Sequence, residues 1–174
     1  IVSAGNENVD VSKVTPANLG AAFTNVINVG ATDLNDRRAK FNSFQESNFG
    51  NSVSVSAPGK NVYAPKPGND YDKPIEIGGI ITDGFSGTSA SAPMVTGVAG
   101  LIKAIKGDAI TAPQIKDNLV KTSDPVITDE TIGSGCYTGP PKTNTQGFNG
   151  CRLNAKGAVE KVLFEPQPPT ILRQ

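Results

Sequence analysis

Histidine is absent from this 174-residue chain, methionine occurs once and cysteine only twice. Without histidine the chain cannot supply the usual base for a serine nucleophile, and two cysteines alone are half a zinc site. Charge of one sign is lacking too. Sixteen basic and sixteen acidic residues cancel, and no basic block marks a nucleic-acid partner. No apolar run approaches the roughly 20 residues that span a bilayer, so no membrane partner is expected. There is no initiator methionine, no signal-peptide pattern and no internal repeat. Ile1-Val2-Ser3-Ala4 reads as the inside of a buried strand, so the chain is expected to be a fragment or a processed product.

The length is sufficient for one domain with a sizeable core, and 37% hydrophobic content with few aromatics fits a globular α/β protein. Residues 1–4, 26–31 and 53–57 read as buried strands, the first two rich in β-branched side chains. Residues 14–22 are open to either a loop or a short helical turn after Pro16. Residues 65–72, rich in Pro, Gly, Asn and Asp, are expected to be a loop, and 75–81 a hairpin turning at Gly78-Gly79. A long helix is expected from Thr88 to about Lys106, apolar over most of its circumference and buried nearly all round. Gly97 and Gly100 within it suggest close backbone packing. Thr111-Ala112-Pro113-Gln114 is a capping-box pattern opening a helix to about Lys121. Residues 152–163 read as a last helix, and the Pro-rich stretch from Glu165 to Pro169 as a stiff tail or linker.

Cys136 and Cys151 bracket a Gly/Pro/Thr-rich segment with little means of packing itself. A disulfide closing that loop would contribute about 3 kcal/mol and points to an oxidising, extracellular location. Two unpaired thiols are the alternative.

The chemistry centres on Gly87-Thr88-Ser89-Ala90-Ser91-Ala92-Pro93. A serine hydroxyl at a helix N-terminus has free backbone N–H groups and the positive dipole end beside it, and its own N–H can help hold an oxyanion. Small neighbours let a substrate backbone approach. Serine and threonine are also ordinary helix caps, and three residues alone do not decide between the two. An α/β-hydrolase elbow, Gly-x-Ser-x-Gly, is excluded by Ser91 at its closing position and by the lack of a downstream histidine.

Residues 86–93 with Val95, Gly97, Val98 and Ala99 resemble the nucleophile segment of the subtilisin-like serine proteases, the subtilases. Four other stretches agree in the family's order. Ser3-Ala4-Gly5-Asn6 resembles its oxyanion-hole segment, and Val29-Gly30-Ala31-Thr32 with Ala39, Phe41 and Ser43 the following strand and turn. Ser56-Ala57-Pro58-Gly59 is similar to its Ala-Pro-Gly, and Arg152-Leu153-Asn154-Ala155 to the entry of its C-terminal helix. The resemblance covers residues 1 to about 164, leaving 165–174 as tail. It implies a three-layer α/β/α fold with a mainly parallel sheet, incomplete for want of an N-terminal part.

It further implies a secreted serine endopeptidase acting on protein or peptide substrates through an acyl-enzyme on Ser89. In the order Asp, His, Ser, both missing triad members belong to a segment upstream, so an N-terminal segment of the same protease is the expected partner. Alone, the chain is expected to be inactive or very weak. Asn6 takes the place of the oxyanion donor; in a subtilisin, removing that asparagine costs about 10²–10³ in kcat. A Gly-Asn pair after a strand is otherwise a common turn signal. Ser3, Ala4 and Gly5 would form one wall of the pocket for the substrate side chain, and Val14 its floor, favouring apolar groups.

Two departures from the family are visible. Met94 stands where a histidine outside the triad is usual, and Ala90 replaces a frequent methionine, which makes the site less sensitive to oxidation. No cofactor is required for the chemistry. Family members often bind structural calcium, but Asp33, Asp36, Asp70 and Asp72 show no calcium-loop spacing and read as solvated loop carboxylates. A non-catalytic subtilase-like binding or structural module is the second functional hypothesis.

Overall fold

The computed structural model describes residues 1–124, apart from Asn51, Asn69 and Asp83, and residues 151–165. Cys136 and the prolines at 166–169 lie outside these. The elements run in chain order. Strand β1 (Val2–Ser3) is followed by a 3-10 turn at Val11–Lys13 and a one-turn helix α1 (Leu19–Ala22). Strands β2 (Asn28–Thr32) and β3 (Val55–Pro58) come next. Two hairpins then pair β4 (Ala64–Lys66) with β5 (Asp70–Asp72), and β6 (Ile75–Ile77) with β7 (Ile80–Thr82). Helices α2 (Thr88–Lys106), α3 (Ala112–Thr122) and α4 (Ala155–Phe164) complete the described chain.

The first three strands form a parallel sheet in the order β1-β2-β3. Val2 lies opposite Asn28, and Val29 to Thr32 lie opposite Val55 to Pro58. Every residue of β2 is buried, as expected for a strand covered on both faces. Alternation divides its side chains between two cores. Val29, Val55 and Ala57 face α2, α3 and α4, where Val95, Val98, Ile102, Leu119, Ala158 and Val162 complete the main cluster. Ala4 joins Val11, Ala17 and Val53 in a smaller one, with Val2 and Val14 beside it. Asn28 binds that side too, its Nδ2 donating to the Ala17 carbonyl at 2.9 Å. Helical elements therefore sit on each face of a parallel sheet, which is the α/β layering expected.

Arg152 lengthens this framework. It makes a parallel bridge to Ser56 and an antiparallel one to Asp124. Its guanidinium donates to Asp36 at 2.5 Å and Asp124 at 3.2 Å. Partial burial disfavours the charge, yet the bonds and charges of Asp124 and Asp36 hold the guanidinium pKa above its ordinary value. Helix α4 begins only at Ala155, because the Asn154 side chain accepts from the Gly157 N–H at 2.7 Å and caps it there. The expected start at 152 is corrected accordingly.

Two further expectations are overturned. Residues 65–72 are not a loop but most of the β4–β5 hairpin, with Gly68 turning at φ +88° and Tyr63 stacked on Tyr71 at 5.0 Å. Helix α2 is not buried all round. Thr88, Ser91, Val95, Val98 and Ile102 form one buried stripe, whereas Leu101 and Ile105 are exposed, and a Cβ on Gly97 or Gly100 would meet nothing within 4 Å. The Gly78-Gly79 hairpin stands as expected, with φ of +59° and +81°. At the start of α3, Gln114 Oε1 accepts the Thr111 N–H at 2.8 Å as the capping-box pattern requires.

Ile102 is fully buried at the centre of the main cluster. Ile102→Ala should lower stability by about 2–5 kcal/mol, measured by urea denaturation of the full-length protein.

Candidate active site

Asn6 and Ser89 reach the same place by different routes. Parallel strands all end on one side of their sheet, and both β1 and β3 lead into turns there. The chain leaving β1 turns at Gly5, whose φ is +99°; a Cβ at that position would collide with Asn48 Nδ2 and Glu7 Oε2. Only glycine fits both the conformation and the space. The chain leaving β3 passes Gly59, which donates to the Thr32 carbonyl and accepts from the Gly87 N–H at 2.8 Å. A Cβ on Gly59 would overlap the Ser91 hydroxyl and the Ala31 methyl. That close approach sets the Ala-Pro-Gly corner directly beneath the first turn of α2.

Gly87, the N-cap of α2, has φ +140° and no side chain to offer the orphan N–H groups of the first turn. Asn6 does this from 82 residues away, its Oδ1 accepting the Thr88 N–H at 2.9 Å. The same oxygen accepts the Thr88 hydroxyl at 3.0 Å, and that hydroxyl accepts the Gly5 N–H at 3.1 Å. With its carbonyl end committed to Thr88, the Asn6 amide turns its Nδ2 toward Gly87. A Cβ there would lie 3.2 Å from that nitrogen. Among the described residues Nδ2 has no acceptor, and it stays available to an incoming oxygen.

Ser89, one residue further, is exposed, whereas Thr88, Ala90 and Ser91 are buried. The Ser91 hydroxyl donates to the Ala57 carbonyl at 2.9 Å, tying the first turn of the helix to the end of β3. Ser89 is thus the one hydroxyl of the Thr88-Ser89-Ala90-Ser91 run that faces outward. Its backbone N–H sits in the first turn of a 19-residue helix, at the positive end of the dipole.

The residues read as a pocket wall divide in their placement. Ser3 and Gly5 are half-buried, while Ala4 is fully buried, its methyl packed with Val11, Ala17 and Val53. Ala4 can therefore contribute only main-chain atoms to a cleft. Val14 packs against the same small cluster. Of the loop aspartates, Asp36 pairs with Arg152, and Asp70 and Asp72 with Lys66. Asp33 Oδ1 accepts the N–H groups of Asn35 and Arg37. The Asp70 carboxyl is held below its usual range by the Tyr71 N–H first and Lys66 second. Among the described residues no three acidic, cysteine or histidine side chains assemble as metal ligands.

A model of the subtilase family matches residues 1–151. The chain belongs to that family. It is 33% identical to an extracellular basic protease of Dichelobacter nodosus, over 97% of this chain and 25% of that protein. It is 29% identical to an alkaline extracellular protease of Yarrowia lipolytica, over 72% of this chain and 26% of the relative. Among solved structures, a cold adapted subtilisin-like serine proteinase superposes with a TM-score of 0.57 at 28% identity, covering 75% of this chain and 40% of that one. The chain thus spans about a quarter of the length of these two relatives.

In this subtilase chain the family resemblance pairs Asn6 with Ser89 but gives Thr88 no part. The signal was available only as its position before the serine; the bond to Asn6 is a property of the fold. Thr88→Val keeps the shape and strands the Gly5 N–H and part of the Asn6 carbonyl. It should cost about 1–3 kcal/mol, whereas Thr88→Ser should stay within about 1 kcal/mol of the parent because it keeps the hydroxyl. Urea denaturation of the full-length protein measures both.

Proposed function

We propose that this chain is the nucleophile-bearing part of a secreted subtilisin-like serine endopeptidase. Ser89 Oγ attacks the carbonyl of a peptide substrate as its proton passes to a histidine, which an aspartate orients. The chain contains no histidine, and in the family's order Asp, His, Ser both groups belong to an N-terminal segment of the same protease. The negative charge that develops on the carbonyl oxygen is met by Asn6 Nδ2 and by the Ser89 N–H. The histidine then protonates the leaving amine, and water hydrolyses the ester on Ser89. Ser3, Gly5 and the main chain of Ala4 flank the substrate side chain before the scissile bond. No metal or other cofactor takes part in these steps.

The observation that carries this reading is the double hydrogen bond from Thr88 to Asn6 Oδ1. It leaves an amide donor aimed outward beside an exposed serine at a helix N-terminus. Two features support the N-terminal partner. The outward stripe of α2, with Gly97, Gly100 and Leu101, is open, and β1 pairs on one side only among the described strands. Both suit a further layer of the same domain, with the two glycines admitting a closely approaching backbone. Cys151 is buried, and a disulfide from it to Cys136 would fit the extracellular setting named for both relatives above.

The test uses the full-length protein and a fluorophosphonate probe. Label should map to the peptide containing Ser89 and disappear in Ser89→Ala, and Asn6→Ala should lower kcat on a peptide substrate by about 10²–10³, the magnitude known for a subtilisin asparagine. The isolated chain should show no activity above background. An unlabelled Ser89 in a folded full-length protein would contradict the proposal and favour a non-catalytic module.

A further inference from the structure

The loop that carries Asn6 is held by a residue the chemistry above does not use. Asn48 is fully buried, and every polar group of its side chain is spent on residues 4–9. Its Oδ1 accepts the N–H groups of Glu7 and Val9, each at 3.0 Å. Its Nδ2 donates to the Ala4 carbonyl at 2.9 Å and to Glu7 Oε2 at 2.7 Å. The Asn48 backbone N–H adds a bond to the Gly5 carbonyl at 2.9 Å. A buried amide can make about four side-chain bonds, and all four go to one loop.

Two of these bonds bear on Asn6 itself. Glu7 Oε2, held by Asn48, also accepts the Asn6 N–H at 2.8 Å. Gly5, on the other side of Asn6, is confined between Asn48 Nδ2 and Glu7 Oε2 with no room for a Cβ. The backbone on both sides of the oxyanion donor is therefore fixed by Asn48, directly at Gly5 and through the Glu7 carboxylate at residues 6 and 7. Asn48 is in turn held from behind. Arg38 donates to the Ser47 carbonyl at 2.8 Å, pairs with Glu46 at 2.6 Å and lies 5.0 Å over the Phe49 ring.

We infer that Asn48 is a positioning residue for the oxyanion donor, acting through the Glu7 carboxylate and the Gly5 turn to hold Asn6 in register with Ser89. The inference rests on the proposed role of Asn6. Its physical basis is that a donor works on a developing charge only when held within a few tenths of an ångström of its place, and misplacement by about 1 Å costs up to about 10²-fold in rate.

The experiment is a double-mutant cycle in the full-length protein on a peptide substrate, with kcat and KM determined separately. Asn48→Asp keeps the Oδ1 acceptor but loses both donors and sets a carboxylate against Glu7. It should lower kcat by about 10- to 100-fold with KM changed less than about twofold. When Asn6 is already alanine, the same change should cost less than about threefold, because the donor it positions is gone. Glu7 is exposed, so Glu7→Ala supplies the same cycle should Asn48→Asp not fold. Its expected loss is smaller, about fivefold, and again dependent on Asn6. Equal losses with and without Asn6, or an unchanged kcat in folded Asn48→Asp, would overturn the inference. The failure of the underlying reading looks different: there, Asn6→Ala alone would leave kcat unchanged.

Discussion

The Asn6 side-chain carbonyl caps helix α2 across 82 residues of chain, and the rest of the arrangement depends on that bond. A helix that begins at a glycine N-cap has nothing of its own to satisfy its first N–H. Here the cap is borrowed from the turn after β1, so the end of the sheet and the start of α2 are fixed relative to each other by one side chain. The same bond sorts the two ends of the Asn6 amide. Thr88 takes the oxygen through both its N–H and its hydroxyl, and the nitrogen is left outward. A structural cap and the proposed oxyanion donor are thereby two halves of one planar group. Glycine stands at 5, 59 and 87 around this contact because Gly5 and Gly87 adopt positive φ and a Cβ on Gly5 or Gly59 would collide with neighbouring side chains.

Around that contact the energetics are uneven. One stripe of α2 is buried against β2, β3 and α4 in a cluster of aliphatic side chains, and the Ser91 hydroxyl anchors its first turn to β3. On the opposite stripe Leu101 is exposed, and among the described residues a Cβ on Gly97 or Gly100 would meet nothing within 4 Å. Burial on one side sets where the helix lies, while the borrowed cap sets where it starts. The segment 46–49 then supports the Gly5-Asn6 turn from behind, running alongside residues 7–10 with bridges at Glu7–Glu46 and Asp10–Phe49.

What the sequence made legible was mostly local. The long helix, the Thr111 capping box and the Gly78-Gly79 turn are written in neighbouring residues, and the three buried strands in short β-branched or apolar runs. The β4–β5 hairpin was hidden by Pro65 and Pro67, residues usually excluded from strand interiors. It forms as an isolated two-stranded unit, where a proline can face away from its partner, with Tyr63–Tyr71 stacking and Lys66 pairing to Asp70 and Asp72 in support. The exposed face of α2 was misread because apolar content tells how a helix could be buried, not what is present to bury it. Arg152 looked helical from its position before an apolar repeat, but its backbone bonds Asp124 and its guanidinium pairs with Asp36. At the site, Asn6 and Ser89 were legible through family resemblance. Thr88 and Asn48 were not, because their partners lie 82 and about 40 residues away in the chain.

In the proposed mechanism the Asn6 amide nitrogen and the Ser89 N–H together receive the charge developed in the reaction. A high-resolution crystal structure of the full-length protein bearing a peptide boronate or aldehyde adduct tests it most directly. The expected structure has a covalent bond to Ser89 Oγ, with the adduct oxygen about 2.7–3.1 Å from both Asn6 Nδ2 and Ser89 N and Asn6 Oδ1 still bound to Thr88. An adduct oxygen turned away from Asn6, or an Asn6 amide released from Thr88 to bind elsewhere, would contradict it.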